Sequence, residues 1–292
     1  MAKPFLRWVG GKRQLLDDIR NYYPEKIEKY CEPFVGGGAV FFDIMNTKKP
    51  KECLINDIND NLIITYKTIR DNLDLLLEEL NKKQKEHNNS TDKVNLYYQN
   101  RVLFNDLRGV KDKEILRAAL MLYLNKTCFN GLYRENKKGG FNVPFDKSKR
   151  EIVFDTENLK EVSKTLKDVD IRHGAYRDVD DFVDNKTFVY FDPPYRPISN
   201  TSAFDKYNRD GFGDEKQIEL AAYFKELDKR GTTLLLSNSD PKSANEDMFF
   251  DEIYKEFNVK RVNASRAINS NAKKRGKVKE ILVSNVYKKE TK

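Results

Sequence analysis

The stretch Thr187-Phe188-Val189-Tyr190-Phe191-Asp192-Pro193-Pro194-Tyr195 decides the fold. Its first five residues carry no charge and are apolar, aromatic or β-branched, which predicts a buried strand over residues 187–191. The two prolines that follow can continue neither a helix nor a ladder, so the strand stops at Phe191. Its carboxyl end then offers a carboxylate, a stiff turn with free carbonyls and a tyrosine ring. In open α/β sheets, ligands bind at the carboxyl ends of strands. A carboxylate and a rigid carbonyl can accept the two protons of an exocyclic amine, while a ring stacks on the heterocycle that bears it. The competing reading of these residues alone is a strand closed by a Pro-rich turn, with Asp192 as its cap.

Upstream of it stand two further strand ends. Tyr30-Cys31-Glu32-Pro33-Phe34 leads into Val35-Gly36-Gly37-Gly38 and the apolar helix-like residues 39–45, and side-chain-free residues let a ligand lie against backbone. Glu52-Cys53-Leu54-Ile55-Asn56-Asp57 reads as a strand ending in an acid about 20 residues beyond Gly36, the spacing at which a carboxylate grips ribose hydroxyls. A nicotinamide dehydrogenase would share these features. Its glycines, however, should follow Gly-x-Gly-x-x-Gly, and it gives no reason for residues 192–195. Ahead of both strands, Trp8-Val9-Gly10-Gly11-Lys12-Arg13 precedes a helix-like segment at 14–21, a turn that can present N–H groups and an ammonium to an anion, or be an ordinary turn.

The chain has 292 residues, 39% hydrophobic and 34% charged, enough for a sizeable core and for two domains. No apolar run is long enough to span a bilayer, and the start, Met1-Ala2-Lys3-Pro4-Phe5, lacks the apolar region of a signal peptide. Cys31, Cys53 and Cys128 are odd in number and far apart, which argues against a disulfide framework or a zinc site. A cytoplasmic setting and no membrane or metal partner are expected. The net charge of +8 suits a polyanion such as nucleic acid without requiring one.

From Asn59, apolar residues Leu62, Tyr66, Ile69, Leu73, Leu76, Leu77 and Leu80 recur at helical spacing and predict one long amphipathic helix. The polar run at 81–95 reads as a surface connection at the edge of an inserted, helical subdomain, and a second helix is expected over 113–124. It delivers the chain to Asn125-Lys126-Thr127-Cys128-Phe129-Asn130-Gly131-Leu132-Tyr133-Arg134 and Gly140-Phe141-Asn142-Val143-Pro144-Phe145. Polar forks and flat rings between glycines are equipment for reading base edges, and an ordinary hairpin loop is the alternative. Beyond Glu151 strands are expected at 169–174, with Tyr176 at its end, at 232–236 and as an antiparallel pair at 257–262 and 280–287, with a helix at 214–230. His87 and His173 stand alone and read as structural or exposed. The basic run at 266–277 is a solvated loop or one that grips phosphates.

Six of these stretches, Trp8 to Lys12, Glu32 to Gly38, Asn56-Asp57, Phe129 to Arg134, Gly140 to Phe145 and Asp192 to Tyr195, stand in the order seen in Dam-type DNA adenine methyltransferases, the GATC-specific alpha-class group. The chain resembles that family through Tyr195-Arg196-Pro197-Ile198-Ser199, Phe204 and Ser237-Asn238 as well, so nearly its whole length is covered. The resemblance implies an α/β fold: a Rossmann-like AdoMet-dependent methyltransferase sheet of seven strands with an inserted, mainly helical target-recognition domain. Residues 1–65 and 155–292 would form the catalytic part and 66–154 the insertion. It also implies S-adenosylmethionine (AdoMet) as donor, no metal, and methylation of adenine in double-stranded DNA at GATC, with base flipping. A cognate restriction endonuclease acting on the same site, without a stable complex, is the further partner it admits.

By the resemblance, Asp192, Pro193, Pro194 and Tyr195 are the catalytic candidates, and Trp8, Lys12, Asp57 and Asp192 contact AdoMet. Gly10, Gly11, Pro33, Phe34, Gly36, Gly37, Gly38 and Tyr176 complete the cofactor candidates. Asn130, Leu132, Tyr133, Arg134, Asn142 and Pro144 are the candidates for reading DNA, with Arg266, Asn271, Lys273, Lys274 and Arg275 for holding it. The chain departs from many relatives at Ala175, where they carry a polar or acidic side chain, a position that bears on the grip on the AdoMet adenine. Three other activities share parts of this pattern. A glutamine methyltransferase of translation factors would be expected to carry Asn in place of Asp192 and to lack the insertion. An RNA adenine methyltransferase has the same turn, and a silent DNA-binding regulator would not need both halves of a cofactor site.

Overall fold

The computed structural model describes residues 1–196, 212–242, 246–265 and 277–286. Seven strands form one sheet: β1 (Lys29–Glu32), β2 (Glu52–Asp57), β3 (Val169–His173), β4 (Thr187–Phe191), β5 (Thr233–Ser239), β6 (Asn258–Ser265) and β7 (Lys277–Ser284). Their order is β3-β2-β1-β4-β5-β7-β6, the mixed α/β sheet of a Rossmann-like methyltransferase. β1 is parallel to β2 and to β4, β4 is parallel to β5, and β7 is antiparallel to β5 and β6. All five residues of β4 are buried, as its uncharged run requires. The chain builds outward from β1 in one direction and resumes at β4 in the other, so the strand order reverses between them. The carboxyl ends at such a switch point are where open α/β sheets hold ligands.

The chain divides into two compact units. The first comprises Met1–Gly11, Gly36–Asn46 and Asp57–Gly174; the second comprises Lys12–Val35, Thr47–Asn56 and Ala175–Lys292. In the second unit, Val189 and Phe191 of β4 and Leu234 and Leu236 of β5 point to one face and pack with Leu220, Tyr223, Phe224 and Leu227 of the helix Asp214–Lys229. Strand alternation puts those strand residues on a common face, and the 3.6-residue period gives the helix its stripe.

Numbered in chain order, α1 is Leu16–Arg20, α2 Ala39–Thr47, α3 Asp60–Asp71, α4 Leu73–Asn89, α5 Lys93–Asp106, α6 Glu114–Thr127, α7 Thr156–Leu166, α8 Asp214–Lys229 and α9 Phe249–Ile253. The long helix expected after Asn59 is two helices. Asn72, at φ −136° and ψ 39°, breaks the ladder between α3 and α4, although the apolar period runs on through it. The polar run at 81–95 is not a surface connection either: α4 continues through it to Asn89, and α5 starts at Lys93 with the Asp92 carboxylate accepting from Asn95 N at 3.0 Å. α6 is buried along almost its whole length, Arg117 through Asn125. Among the described residues no helix is long and apolar enough to cross a membrane. Cys31, Cys53 and Cys128 are buried free thiols.

Candidate active site

The turn after β4 lies at the switch point, within the second unit. Two prolines leave it short of N–H groups, so outside side chains hold it. Gln217 Nε2 donates to the Pro194 carbonyl at 3.0 Å, Arg196 N donates to Asn238 Oδ1 at 3.3 Å, and Ser239 Oγ donates to the Arg196 carbonyl at 3.0 Å. The Arg196 guanidinium forks onto Asp214 at 2.6 and 3.0 Å, reaches Asp247 at 2.5 Å, and lies 4.1 Å from the centre of the Phe249 ring. Both carboxyls are held below their usual range by that guanidinium.

Asp192 Oδ1 accepts from the Lys12 ammonium and, at 3.3 Å, from Ser237 Oγ. Ser237 Oγ in turn shares a 2.7 Å hydrogen bond with the Tyr190 hydroxyl. Burial pushes the Asp192 carboxyl up, and Lys12 and Ser237 oppose the shift. Lys12 is 2% exposed. The anion that the Lys12 ammonium meets in this structure is therefore the chain's own Asp192. The same ammonium stands 4.7 Å from the centre of the Tyr195 ring, whose hydroxyl donates to Glu280 Oε2 at 2.5 Å. Burial, then the charges of Asp192 and Glu280, hold the Tyr195 hydroxyl well up.

Also in the second unit, the Phe34 ring stacks on Tyr176 at 5.4 Å, with Phe212 edge-on at 5.8 Å. Asn56 Nδ2 ties this segment down by donating to the carbonyls of Pro33 at 3.1 Å and Ala175 at 3.3 Å.

The first unit holds the glycine loop. Asp57 Oδ2 accepts from Gly36 N and Oδ1 from Asn59 N, each at 2.9 Å, and burial raises this carboxyl against those bonds. Gly36 has φ +46°, and a Cβ there would stand 2.9 Å from the Trp8 indole, so both conformation and the close ring demand glycine. Gly37 would place a Cβ 3.0 Å from Trp8 Cβ. Trp8 also stacks on Tyr133, ring centres 5.0 Å apart.

Tyr133 therefore packs inside, against Trp8 and Phe141, with its hydroxyl accepting from Asn61 at 2.8 Å and donating to Glu135 at 2.5 Å. The loop around it is a hairpin, with antiparallel bridges between Cys128 and Phe145 and between Glu135 and Phe141. Asn125 fixes its base, exchanging 2.9 Å bonds with the Arg7 backbone and donating to Gly131 O. Asn130 and Pro144 are exposed, and Leu132 is half-buried. Arg134 is half-buried, its Nε donating to Asn142 Oδ1 at 2.6 Å. His87 is buried between the Tyr123 hydroxyl and the Lys149 carbonyl, to which it donates, and exposed His173 donates from Nε2 to the Ile58 carbonyl. Arg266, Asn271, Lys273, Lys274 and Arg275, with Pro197, Ile198, Ser199 and Phe204, lie outside the described residues.

The sequence profile of the D12 class N6 adenine-specific DNA methyltransferases matches residues 8–268. The chain belongs to that family. It is 45% identical to the Type II methyltransferase M.MjaIII of Methanocaldococcus jannaschii, over 97% of this chain and 99% of that protein. It is 39% identical to the Type II methyltransferase M1.LlaDCHI of Lactococcus lactis subsp. cremoris, over 97% and 95%, and 35% identical to the DNA adenine methylase of Escherichia coli, over 96% and 94%. The methyltransferase is adenine-specific and acts on DNA, which removes the dehydrogenase, the glutamine methyltransferase and the regulator; the RNA reading has no support among these matches. Membership implies AdoMet as methyl donor, and the groups present suit it. In the first unit the methyltransferase offers the Asp57 carboxylate, which can accept from ribose hydroxyls. In the second it offers flat rings at Phe34 and Tyr176. Sequence reading missed Gln217 and Glu280 of the second unit. Gln217 was detectable as an amide on the apolar stripe of α8, three residues before Leu220.

Proposed function

We propose that the enzyme methylates the exocyclic amine of an adenine flipped out of duplex DNA, within GATC. The observation that carries the reading is the contact of Asp192 with Lys12: an acceptor suited to N–H donors already holds a protonated amine in a buried setting. An adenine inside the duplex cannot reach a methyl donor, and extruding it costs about a few kcal/mol of pairing and stacking. The Tyr195 ring, anchored through its hydroxyl to Glu280, replaces part of that stacking. Bound AdoMet supplies an electrophilic sulfonium methyl. The amine lone pair is delocalised into the purine, so the residues must draw it out. Asp192 and the Pro193 carbonyl would accept hydrogen bonds from its two N–H groups, pull the nitrogen toward a tetrahedral geometry and stabilise the positive charge that develops on it, one of the two protons passing to solvent once the nitrogen carries the methyl. The held turn would fix the acceptors that orient the amine for attack on the donor.

On the same reading, Asp57 grips the ribose, the stacked pair Phe34 and Tyr176 offers ring surface to the AdoMet adenine, and residues 66–154 carry target recognition through Asn130, Leu132, Arg134 and Pro144. GATC is supported by the resemblance of the 129–145 hairpin to the Dam-type group. A restriction endonuclease of the same specificity would meet the enzyme only through that shared site. The test is plasmid treated with the protein and AdoMet, then exposed to a GATC-cutting nuclease blocked by adenine methylation. Resistance is expected. Complete cutting, with labelled methyl found in other sequences, would remove GATC and leave the chemistry standing.

A further inference from the structure

The turn that presents Asp192 is aimed by two buried amides that no part of the chemistry touches. Gln217 and Asn238 are both 0% exposed. Their burial follows from the pattern around them. Gln217 occupies the stripe of α8 that continues in Leu220, Phe224 and Leu227, and Asn238 follows Leu234 and Leu236 on the face of β5 that packs against α8. A side chain at either position would ordinarily be apolar. Buried amides without partners are costly, so their presence demands a complete set of bonds.

The set fixes a direction. Asn238 Oδ1 accepts from Ser239 N at 2.8 Å and from Arg196 N at 3.3 Å, so its Nδ2 must face the other way. There it donates to Gln217 Oε1 at 3.2 Å, which commits Gln217 Nε2 to the Pro194 carbonyl at 3.0 Å. Turning either amide over would set acceptor against acceptor and donor against donor. The chain of bonds therefore grips the turn at two points, Pro194 O and Arg196 N, on either side of Tyr195. Engaging the Pro194 carbonyl inside the protein also distinguishes it from the Pro193 carbonyl, one residue nearer Asp192.

We infer that Gln217 and Asn238 are positioning residues for methyl transfer, which hold the turn in the orientation that directs Asp192 and the Pro193 carbonyl at the target amine. The inference rests on the acceptor roles proposed above for those two groups. It concerns kcat rather than binding, because neither amide touches DNA or AdoMet on that reading.

The test is Gln217→Glu, which keeps the shape and replaces the Nε2 donor with an oxygen facing the Pro194 carbonyl. Single-turnover methylation of a cognate duplex, with DNA and AdoMet saturating, should slow by about 10- to 100-fold at pH 8, the scale of a misplaced reacting group. Dissociation constants for DNA and AdoMet should stay within twofold. The substituted carboxyl can donate again only when protonated, so the rate of the variant relative to wild type should recover as pH falls, a signature that a loss of folded protein would not give. Gln217→Met, similar in volume and unable to bond at any pH, should be slow throughout and show no recovery. Melting curves of both variants provide the folded fraction to which rates are normalised, and Asn238→Asp gives an independent second site. Rates within twofold of wild type for folded Gln217→Glu and Gln217→Met, or losses confined to binding, would overturn the inference. Asp192→Ala run in parallel separates the two levels: full turnover there would overturn the acceptor reading, while loss there with normal Gln217 variants would overturn the positioning role alone.

Discussion

The turn at 192–196 and the hairpin at 127–146 are both irregular backbone, and they are held by opposite means. The hairpin pairs with itself, through the bridges Cys128 to Phe145 and Glu135 to Phe141, and adds the Trp8 and Tyr133 rings beneath. It leaves Asn130 and Pro144 in solvent. The turn cannot pair with itself because its prolines carry no N–H, so buried side chains from α8 and β5 hold it instead. On the proposed function the difference follows from what each region would do: reading base edges would need exposed side chains on a stable base, whereas moving a methyl group would need acceptors fixed to within a fraction of an ångström.

The comparison breaks most sharply at Asp192. Asp192→Ala should lower single-turnover methylation by about 10²–10³, the loss attending removal of one preorganised charge-stabilising partner, while DNA affinity stays within a few-fold. More than about a tenth of wild-type turnover would dissolve the distinction between the two regions. Next in size is Arg134→Ala. A guanidinium fork matches the two acceptors of guanine, a contact whose loss costs about 1–3 kcal/mol, so the preference for GATC over sites altered at that guanine should shrink roughly 5- to 150-fold. Arg134→Lys should not restore it, since an ammonium lacks the planar fork that also meets Asn142. Equal losses on both kinds of site would make Arg134 a phosphate contact. Changing Lys273, Lys274 and Arg275 to Gln should weaken binding to all duplexes alike and reduce the log–log salt slope by about 0.9 per lost contact. An unchanged slope would make the run a solvated loop.

The smallest effect is expected at His87 of the first unit. Burial lowers its pKa, so the folded state holds it neutral while the unfolded chain takes up a proton below about 6.5. Its contribution is therefore complete above that value and is lost as pH falls toward the folded pKa. Thermal melts at pH 7.5 and 5.5 should show a larger drop for wild type than for His87→Gln, and parallel drops would remove His87 as a source of acid sensitivity.

Much of the sheet was legible because its signals are local. The run at 187–191 has no charge, Pro193 and Pro194 end it, and the strands before the Gly36 loop and at Asp57 are bounded by equally plain residues. The helices were harder. Nothing in the apolar period across Leu73 and Leu76 announces the break at Asn72, since the repeat survives it. α5 buries Tyr97, Asn100 and Phe104, but exposed Val102 and Leu103 blur the stripe, and one of its inward residues is an amide. At the candidate site the motifs named residues but not which groups meet: Lys12 is paired with Asp192, and Tyr133 stacks on Trp8. Such pairings depend on residues brought together from far along the chain.

The interleaving of the two units sets the order in which a nascent chain can mature. The first unit has all its segments once Gly174 has been made, and the 127–146 hairpin is among them. β1 is less fortunate: Lys29 and Tyr30 pair on one side with Glu52 and Cys53, which follow soon, and on the other with Thr187 and Phe188, which do not. Until β4 is synthesised, that second edge of β1 stays open, with apolar Cys31 and aromatic Tyr30 along it. Open apolar edges invite pairing with other chains, and closures of such length are slow. A ribosome that stalls between Gly174 and β4 therefore releases a fragment with every segment of the first unit, no Asp192, and a strand edge prone to aggregate.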